Sequence, residues 1–415
     1  MATSGSYLKN YNVTAYDILY EALGIVGVYD PGEAIPASET TDALRTLNMM
    51  LKGWQSRYFL WKNKELALFF QEDENSYDIG PTGDHCADSW AKTEVATAAA
   101  SGASSVVVDA TTGFGDTFDR NGIVTATTPA VAGAITLTGA LVTSGIATLS
   151  GQRKILIYSD ADDSGVSFGI TGLDALGASV TETITGPNTT TVYSTYTYKS
   201  VSAITIDGAG TGNIEIGQVG DPVGIELDGD SIHWTYLSAA LSTTLSLVTA
   251  LTDAVAVDNH VYSYTVKTQR PYEIVEARVY GSDNLDRSIN IISRADYMGL
   301  SDKTSEGTPN QVYYDKQLSN GKMYVWPEPN NMQEYLKFTA RIPIMDLNEL
   351  TEDLEMAGEW FEAVSWNLAL RLFPKYGKPI DQSVALMALS FLEDAVASDS
   401  ENTSTFIGLS RYGRR

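Results

Sequence analysis

Apolar residues recur at helical spacing near both ends of the chain. The spacing predicts amphipathic helices over 13–26, 39–57, 349–373 and 379–397. A Pro/Gly loop separates the first two helices, so we expect a helical hairpin there, and the last two helices close the same domain. In the last helix, the predicted core-facing stripe comprises Val384, Met387, Leu389, Phe391 and Val396.

Between these helical ends, apolar and polar residues alternate with the period of a β-strand. The alternation covers 64–79, 272–280, 287–293 and 310–346. Asn320-Gly321 is the strongest hairpin signal, because Asn and Gly readily adopt the positive φ of a tight turn. We therefore expect an antiparallel meander that adds a small sheet to the helical domain.

The pattern is interrupted between two segments that suit each other as neighbours, 77–84 (YDIGPTGD) and 269–277 (QRPYEIVEA). The sequence between them is rich in Thr, Ala, Gly and Val, alternates like strands and has almost no helical periodicity. The predicted fold class is multidomain α+β: an α-helical bundle domain with a small antiparallel sheet, plus an inserted all-β module with an immunoglobulin-like sandwich. The predicted domains are 1–84 with 267–397 (a discontinuous helical domain), 85–117 with 219–266 (a small β module), 118–218 (the nested sandwich) and 398–415 (a C-terminal tail).

Acidic residues outnumber basic ones, with 52 Asp and Glu against 27 Lys and Arg and a net charge of −25. Binding to a phosphate backbone by counterion release requires Lys and Arg, so we expect no such binding. An acidic surface suits DNA that slides past without sticking, although ordinary solubility explains the same charge. The chain shows no charged leader followed by an apolar core and no apolar run near the roughly 20 residues of a membrane span. We expect folding in a cytoplasm, without a membrane.

The residue types that carry catalysis are sparse. The single cysteine, Cys86, excludes an internal disulfide and a cysteine metal cluster, and the three histidines form no metal-ligand pattern. Residues 160–163 (DADD) resemble the start of a calcium loop but lack its Gly and distant Glu, which favours a polar turn. Carboxylates over 349–359 crowd the start of a predicted helix, where the helix dipole explains them. We predict no enzyme, with no catalytic, cofactor-binding or metal-ligating residue.

Two sets of residues are candidates for protein contacts. Aromatic side chains on the helices favour core packing or a subunit seam, and the subunit-packing candidates are Trp54, Tyr58, Trp61, Trp360 and Trp366. The tail after residue 397 is too short and polar to fold alone, so it is either disordered or ordered by a partner. Its candidate partner-binding residues are Phe406, Ile407, Leu409, Arg411, Tyr412, Arg414 and Arg415.

Four stretches in order carry a resemblance to a known family. They are 43–54 (ALRTLNMMLKGW), 79–84 joined to Arg270-Pro271, 312–315 (VYYD) with 321–329 (GKMYVWPEP), and 356–364 (MAGEWFEAV) with 370–377 (LRLFPKYG). With the insertion removed, the chain resembles the head-to-tail adaptors of short-tailed bacteriophages, also termed tail accessory factors or packaged-DNA-stabilisation proteins. The resemblance covers about 1–84 and 267–400.

The resemblance implies a structural role in the virion. Such adaptors form a ring, commonly of twelve copies, beneath the portal protein at the capsid vertex. The ring extends the channel through which double-stranded DNA passes without sequence-specific binding. It also helps retain the genome and docks tail nozzle, fibre or needle proteins. The resemblance further implies that the tail 398–415 grips the portal, and that the virion is assembled in the cytoplasm of a host bacterium.

A different class of function remains open for the β region. A tail-associated binding protein would use its β-sandwich domains to recognise a host glycan or another tail protein. Its candidate stacking residues are the aromatic side chains Trp90, Tyr193, Tyr196 and Tyr198, although aromatic residues on strands more often belong to the core.

Overall fold

The computed structural model describes residues 13–29, 32, 34–55, 62–115, 117–281 and 283–400. Its helices are α1 (Ala15–Val26), α2 (Ala37–Trp54), α3 (Arg294–Met298), α4 (Phe361–Leu372) and α5 (Gln382–Ser398). The first strands are β1 (Asn63–Phe69), β2 (Ser76–Ile79), β3 (Cys86–Ala87), β4 (Trp90–Thr97), β5 (Ser105–Val108), β6 (Asp119–Thr127), β7 (Gly133–Ile135) and β8 (Val142–Thr143). The next are β9 (Ile146–Ser159), β10 (Ser167–Leu173), β11 (Ser179–Thr185), β12 (Thr191–Ile206), β13 (Ile214–Gln218), β14 (Pro222–Glu226) and β15 (Ile232–Leu241). The last are β16 (Thr244–Leu247), β17 (His260–Tyr264), β18 (Glu273–Tyr280), β19 (Asp286–Ile291), β20 (Gln311–Asp315), β21 (Gly321–Trp326) and β22 (Tyr335–Arg341).

The chain divides into two compact units, which we call the helical unit and the β unit. The helical unit combines Met1–Asn63 with Arg341–Arg415, and the β unit comprises Lys64–Ala340. The protein is mostly β, with 40% strand and 18% helix. The predicted fold class, a helical bundle carrying an inserted β module, is therefore wrong.

The helical unit is organised around α4, which packs against α1, α2 and α5. Its core is formed by apolar side chains from these helices and from the segment that precedes α4: Ile18, Leu19, Leu23, Leu47, Leu51, Trp54, Ile344, Leu354, Trp360, Leu368 and Leu372. Thr14 caps the start of α1 through a capping box with Asp17, and Gly27 ends the helix with a left-handed φ of 70°. The periodic segments near both chain ends thus bury their apolar faces together.

The predicted helix over 349–373 is shorter in the structure. A 3-10 turn at Gly358–Trp360 precedes α4, and the acidic residues before it are not helical. Their backbone instead accepts hydrogen bonds from the start of α1: the amide of Ala15 donates to the carbonyl of Glu352 (2.9 Å) and that of Tyr16 to the carbonyl of Leu350 (3.0 Å). The first amides of a helix lack intrahelical partners, and here the carbonyls of this segment accept hydrogen bonds from the first amides of α1. The segment itself is not helical.

The β unit begins with an eight-stranded sheet built from both sides of the long intervening region. Its strand order is β2-β21-β20-β19-β18-β22-β1-β3. Strands β20 and β21 form the hairpin predicted at Asn320-Gly321, but β19 pairs with β20 in parallel and β22 lies between β18 and β1. The predicted small meander is therefore a large mixed sheet, which accounts for much of the error in the fold class.

Six further strands close into a barrel in the order β14-β15-β16-β5-β4-β17. Two of these strands precede residue 118 and four follow residue 218. The barrel interior is filled by apolar side chains that alternate along the strands: Val95, Val106, Val108, Val223, Ile225, Leu237, Leu245 and Val261. Closure leaves this part of the chain without free sheet edges.

Strands β6–β13 form the remaining sheet, which the chain enters and leaves through neighbouring strands. The order is β11-β10-β12-β9-β13-β6, with β7 on β12 and β8 on β9. Residues from β6 and from β10, four strands apart, share one apolar cluster, so the sheet curls around its own core. The predicted immunoglobulin-like sandwich, made of two separate sheets, is thus replaced by one continuous sheet with bulges in its longest strand, β12.

Candidate functional site

The outer face of α5 is the most unusual surface of the helical unit. Leu386, Met387 and Leu389 are 61%, 44% and 52% exposed, and Ile380 just before the helix is also exposed. Only Ala388 and Ala395 of this helix are fully buried. A helix that is apolar all round is normally covered on every side. The outer face of α5 is therefore an exposed apolar patch, a kind of surface that often takes part in interactions.

The inner face of α5 is held against α4 by specific contacts. The ring of Phe391 lies 5.6 Å from that of Trp366. The side-chain amide of Asn367 donates to the carbonyl of Ala388 (2.8 Å), and Asp381 caps the helix by accepting from the amide of Ser383 (2.9 Å). These contacts occupy the inner side of α5, so Leu386 and Leu389 lie on its outer side.

A second surface of the helical unit, which we call the acidic cleft, lies between α1 and α4. It has a volume of about 510 Å³. Three carboxylates and three aromatic rings line it: Asp17, Glu21, Glu362, Tyr20, Phe361 and Trp366. No Lys or Arg is among its described lining residues. The cleft therefore combines negative charge with aromatic surface.

The carboxylates of the acidic cleft differ in their partners. Asp17 Oδ2 accepts from the backbone amide (2.9 Å) and the hydroxyl (2.7 Å) of Thr14 in the cap of α1. Glu21 and Glu362 are exposed and make no hydrogen bond or ion pair with any residue that the structure describes. These two carboxylates are available to a cation from outside the described chain.

The structure describes three of the five predicted subunit-packing residues. Trp54 and Trp360 lie in the core of the helical unit, with ring centroids 6.2 Å apart, and a contact of either residue with another subunit stays a prediction. Trp366 is half-buried and borders both α5 and the acidic cleft. Tyr58, Trp61 and the tail candidates Phe406, Ile407, Leu409, Arg411, Tyr412, Arg414 and Arg415 lie outside the described residues.

The sequence stripe on the last helix was also partly wrong. Met387 and Leu389 were assigned to the core but are exposed, whereas Val384, Phe391 and Val396 do pack against it. Nearly every residue over 384–392 is apolar, so no polar side could indicate which face turns inward. The missing polar face was itself the available signal in the sequence for this exposed apolar patch.

In the β unit, a buried ion pair joins the barrel to the curled sheet. Arg153 of β9 contacts Asp221 Oδ1 through Nη2, and both side chains are almost completely buried. The hydroxyl of Thr117 also donates to Asp221 Oδ1 (3.1 Å). The amide of Gln218 donates to the carbonyl of Thr117 (2.7 Å), which ties the entering and leaving chain segments together. These polar contacts link the curled sheet to the segment that leads into the barrel.

A second charged cluster surrounds the loop after β2. Asp84 Oδ2 accepts from the amide of Asp78 (2.6 Å), and Lys322 lies 3.6 Å from Asp78. Partial burial, followed by the charges of Asp84 and Asp78, raises the pKa of Glu74 to about 7. Glu74 is thus the group in this cluster that titrates near neutral pH.

Two of the three histidines, His85 and His260, and the cysteine occupy packed positions. His85 stacks on Trp234, with centroids 3.6 Å apart, and its Nδ1 lies 2.7 Å from the hydroxyl of Tyr264. Burial lowers the pKa of His260 to about 4 and raises that of the Cys86 thiol. No cluster of His, Cys, Asp and Glu in the described part of the chain has the arrangement of a metal site.

The aromatic candidates for sugar stacking do not form a shared platform. Tyr198 is fully buried in the curled sheet, whereas Tyr196 is exposed and Tyr193 and Trp90 are half-buried. Trp90 packs edge-on against Tyr335, 6.2 Å away, within an aromatic cluster of the β unit.

Comparisons with known proteins give no family assignment. No helix in the described ranges combines the length and apolar character required to span a bilayer. No family model matches the sequence, and no curated protein matches it. Among solved structures, that of infectious bursal disease virus Gt strain aligns over 78% of this chain, with 9% identity and a TM-score of 0.09. This chain covers 55% of that chain, about half its length. A similarity this low supports no conclusion about fold or function.

Proposed function

We propose that this protein is a structural component of a bacteriophage virion, a head-to-tail adaptor whose copies assemble into a ring under the portal protein. The observation that carries the proposal is the uncovered apolar face of α5, with Leu386, Met387 and Leu389 exposed on a helix whose inner face is already packed. A second copy of the chain is the occupant that the proposal assigns to this face. The type of assembly, a ring of adaptors, is taken from the four sequence stretches that resemble adaptors and occur in the same order along the chain.

The contact between copies is heterologous in this proposal. The face of α5 is apolar in its first half, whereas α1 and α4 present a different, acidic surface. A closed ring requires a head-to-tail contact, in which the face of α5 packs on a different surface of the next copy. The resemblance suggests twelve copies.

The charge of the chain is consistent with this role. A net charge of −25 repels a DNA backbone and offers little counterion release, so DNA passes through the ring without binding tightly. The ring would extend the portal channel, help to retain the packaged genome and dock tail nozzle, fibre or needle proteins. Its location is then the capsid vertex, after assembly in the host cytoplasm.

Electron microscopy of the purified full-length chain, alone and mixed with its portal ring, tests the proposal. We expect a ring-shaped assembly that caps one face of the portal ring, and sedimentation velocity should show a single large complex. A chain that stays monomeric at tens of micromolar and leaves the portal particles unchanged would show that the adaptor assignment is wrong.

A further inference from the structure

The acidic cleft lacks a described partner for its charge. Glu21 and Glu362 are exposed carboxylates without described partners, and Asp17 adds a third negative charge on the same side. No described Lys or Arg lines the cleft, and Lys52 of α2, for example, pairs instead with Asp346 at 3.0 Å. An occupant with several positive charges and some apolar surface would complement this cleft.

Arginine is the side chain that best fits such a lining. Its guanidinium forms two parallel hydrogen bonds with a carboxylate and stacks on aromatic faces, which Lys does less well. The cleft offers both kinds of surface, with Tyr20, Phe361 and Trp366 beside the carboxylates. The expected occupant is therefore an arginine-bearing peptide with apolar residues.

The chain itself carries such a peptide directly after α5. Residues 401–415 (ENTSTFIGLSRYGRR) include three arginines, and their apolar and aromatic residues are Phe406, Ile407, Leu409 and Tyr412. Three guanidinium groups match the three carboxylates of the cleft in number.

The direction of α5 brings this peptide to the correct end of the helical unit. Asn367 contacts Ala388, whereas Trp366, one residue earlier on α4, contacts Phe391, three residues later on α5. The two helices are thus antiparallel, and α5 also packs against the 3-10 turn before α4. Because the cleft lies along the first residues of α4, α5 ends near the end of α4 that lines the cleft. Ten residues of extended chain span roughly 35 Å, which is ample to reach it.

We propose that residues 401–415 bind in the acidic cleft of their own helical unit. The arginines pair with Glu21, Glu362 and Asp17, and the apolar residues of the peptide cover Tyr20, Phe361 and Trp366. This contact does not depend on ring formation. If the same peptide also grips a portal, the portal must first displace it from the cleft.

Disulfide trapping in the full-length chain tests this contact. The variant Glu362→Cys with Gly413→Cys keeps all three arginines and the other two carboxylates, and native Cys86 is buried and does not compete. Glu21→Cys with Gly413→Cys is a second pair in case the first alters folding. Met49→Cys with Gly413→Cys is the matched control, because Met49 is 65% exposed on α2 and lies outside the cleft.

We expect mild oxidation to link both cleft variants within one chain, as a faster-migrating monomer on a non-reducing gel, and to leave the control unlinked. Adding Arg411→Gln, Arg414→Gln and Arg415→Gln should slow the linkage roughly 5- to 10-fold, since three partly exposed ion pairs are lost. Absence of linkage, or equal linkage in the control, would overturn the proposal. A link between an isotope-labelled and an unlabelled chain would overturn it as well, because the occupant would then be a second copy.

Discussion

The apolar face of α5 makes a quantitative prediction about self-association. Replacing Leu386 and Leu389 with Ala removes most of the exposed apolar surface of the helix without touching its inner face, which packs through Ala388 and Phe391. Ala keeps a high helix propensity, so α5 itself should remain intact. The double variant thus separates assembly from folding.

The size of the effect follows from the exposure of the two leucines. Their exposed fractions, 61% and 52%, amount together to about one whole side chain. Covering one Leu side chain contributes about 1.5–3 kcal/mol. Each subunit contact should therefore weaken by about 10- to 150-fold in Kd.

Sedimentation velocity over a concentration series measures this change. Leu318→Ala is the matched control, since Leu318 is 94% exposed but lies in a loop of the β unit. We expect the control to associate like the unmodified chain, and the double variant to remain dissociated at concentrations where the control is assembled. If the double variant assembles normally with an unchanged unfolding midpoint, α5 is not the subunit contact and the reasoning is refuted.

Two further predictions concern the β unit. Arg153→Met leaves Asp221 as a buried carboxylate without its cation, so the free energy of unfolding measured with urea should fall by about 3–5 kcal/mol. Adding Asp221→Asn should restore part of this loss. An unchanged urea midpoint in the single variant would contradict the role given to this pair. Folding raises the pKa of Glu74 from 4.5 to about 7, so its stabilising contribution is complete below pH 4.5 and is lost as the pH rises to about 7. Glu74→Gln should therefore flatten the fall in thermal midpoint between pH 4.5 and 7, and a slope equal to that of the unmodified chain would count against this assignment.

The helices near the chain ends were largely predictable from the sequence. Apolar spacing placed the first helix over 13–26, and the structure has α1 at Ala15–Val26. The predicted helix over 349–373 was wrong in its first third. The backbone carbonyls there accept hydrogen bonds from the first amides of α1, and the spacing of apolar residues does not reveal such a tertiary contact. The spacing of apolar residues therefore predicted helices that bury one of their own faces. It did not predict a segment that accepts hydrogen bonds from the end of another helix.

The β architecture was less predictable, because pairing joins residues far apart in sequence. Alternation located the strands around Asn320-Gly321, but it carries no information on the parallel pairing of β19 with β20. The alternation of apolar and polar residues also does not show whether strands close into a barrel or curl as one sheet. The fold class was wrong mainly for this reason.

The candidate surfaces were only partly visible in the sequence. The prediction that Trp54 and Trp360 pack fits their ring contact inside the helical unit, whereas their contact with another subunit stays a prediction. The acidic cleft escaped notice, because Asp17 and Glu21 are separated from Glu362 by more than 300 residues and only the folding of α1 onto α4 joins them.

The pairing of β6 with β13 has a consequence for the order of folding. Asp119 and Gln218 are partners in register, so the two ends of the curled sheet are neighbours. Val107 of β5 must find Thr244 of β16 across a long stretch of chain. If the curled sheet forms first, the flexible loop between β5 and β16 is shorter by roughly 100 residues. The entropic cost of closing that loop then falls by about 1 kcal/mol. If the curled sheet forms late, the barrel must close the full-length loop. Early formation of the sheet near β9 and β12 should therefore speed barrel formation several-fold.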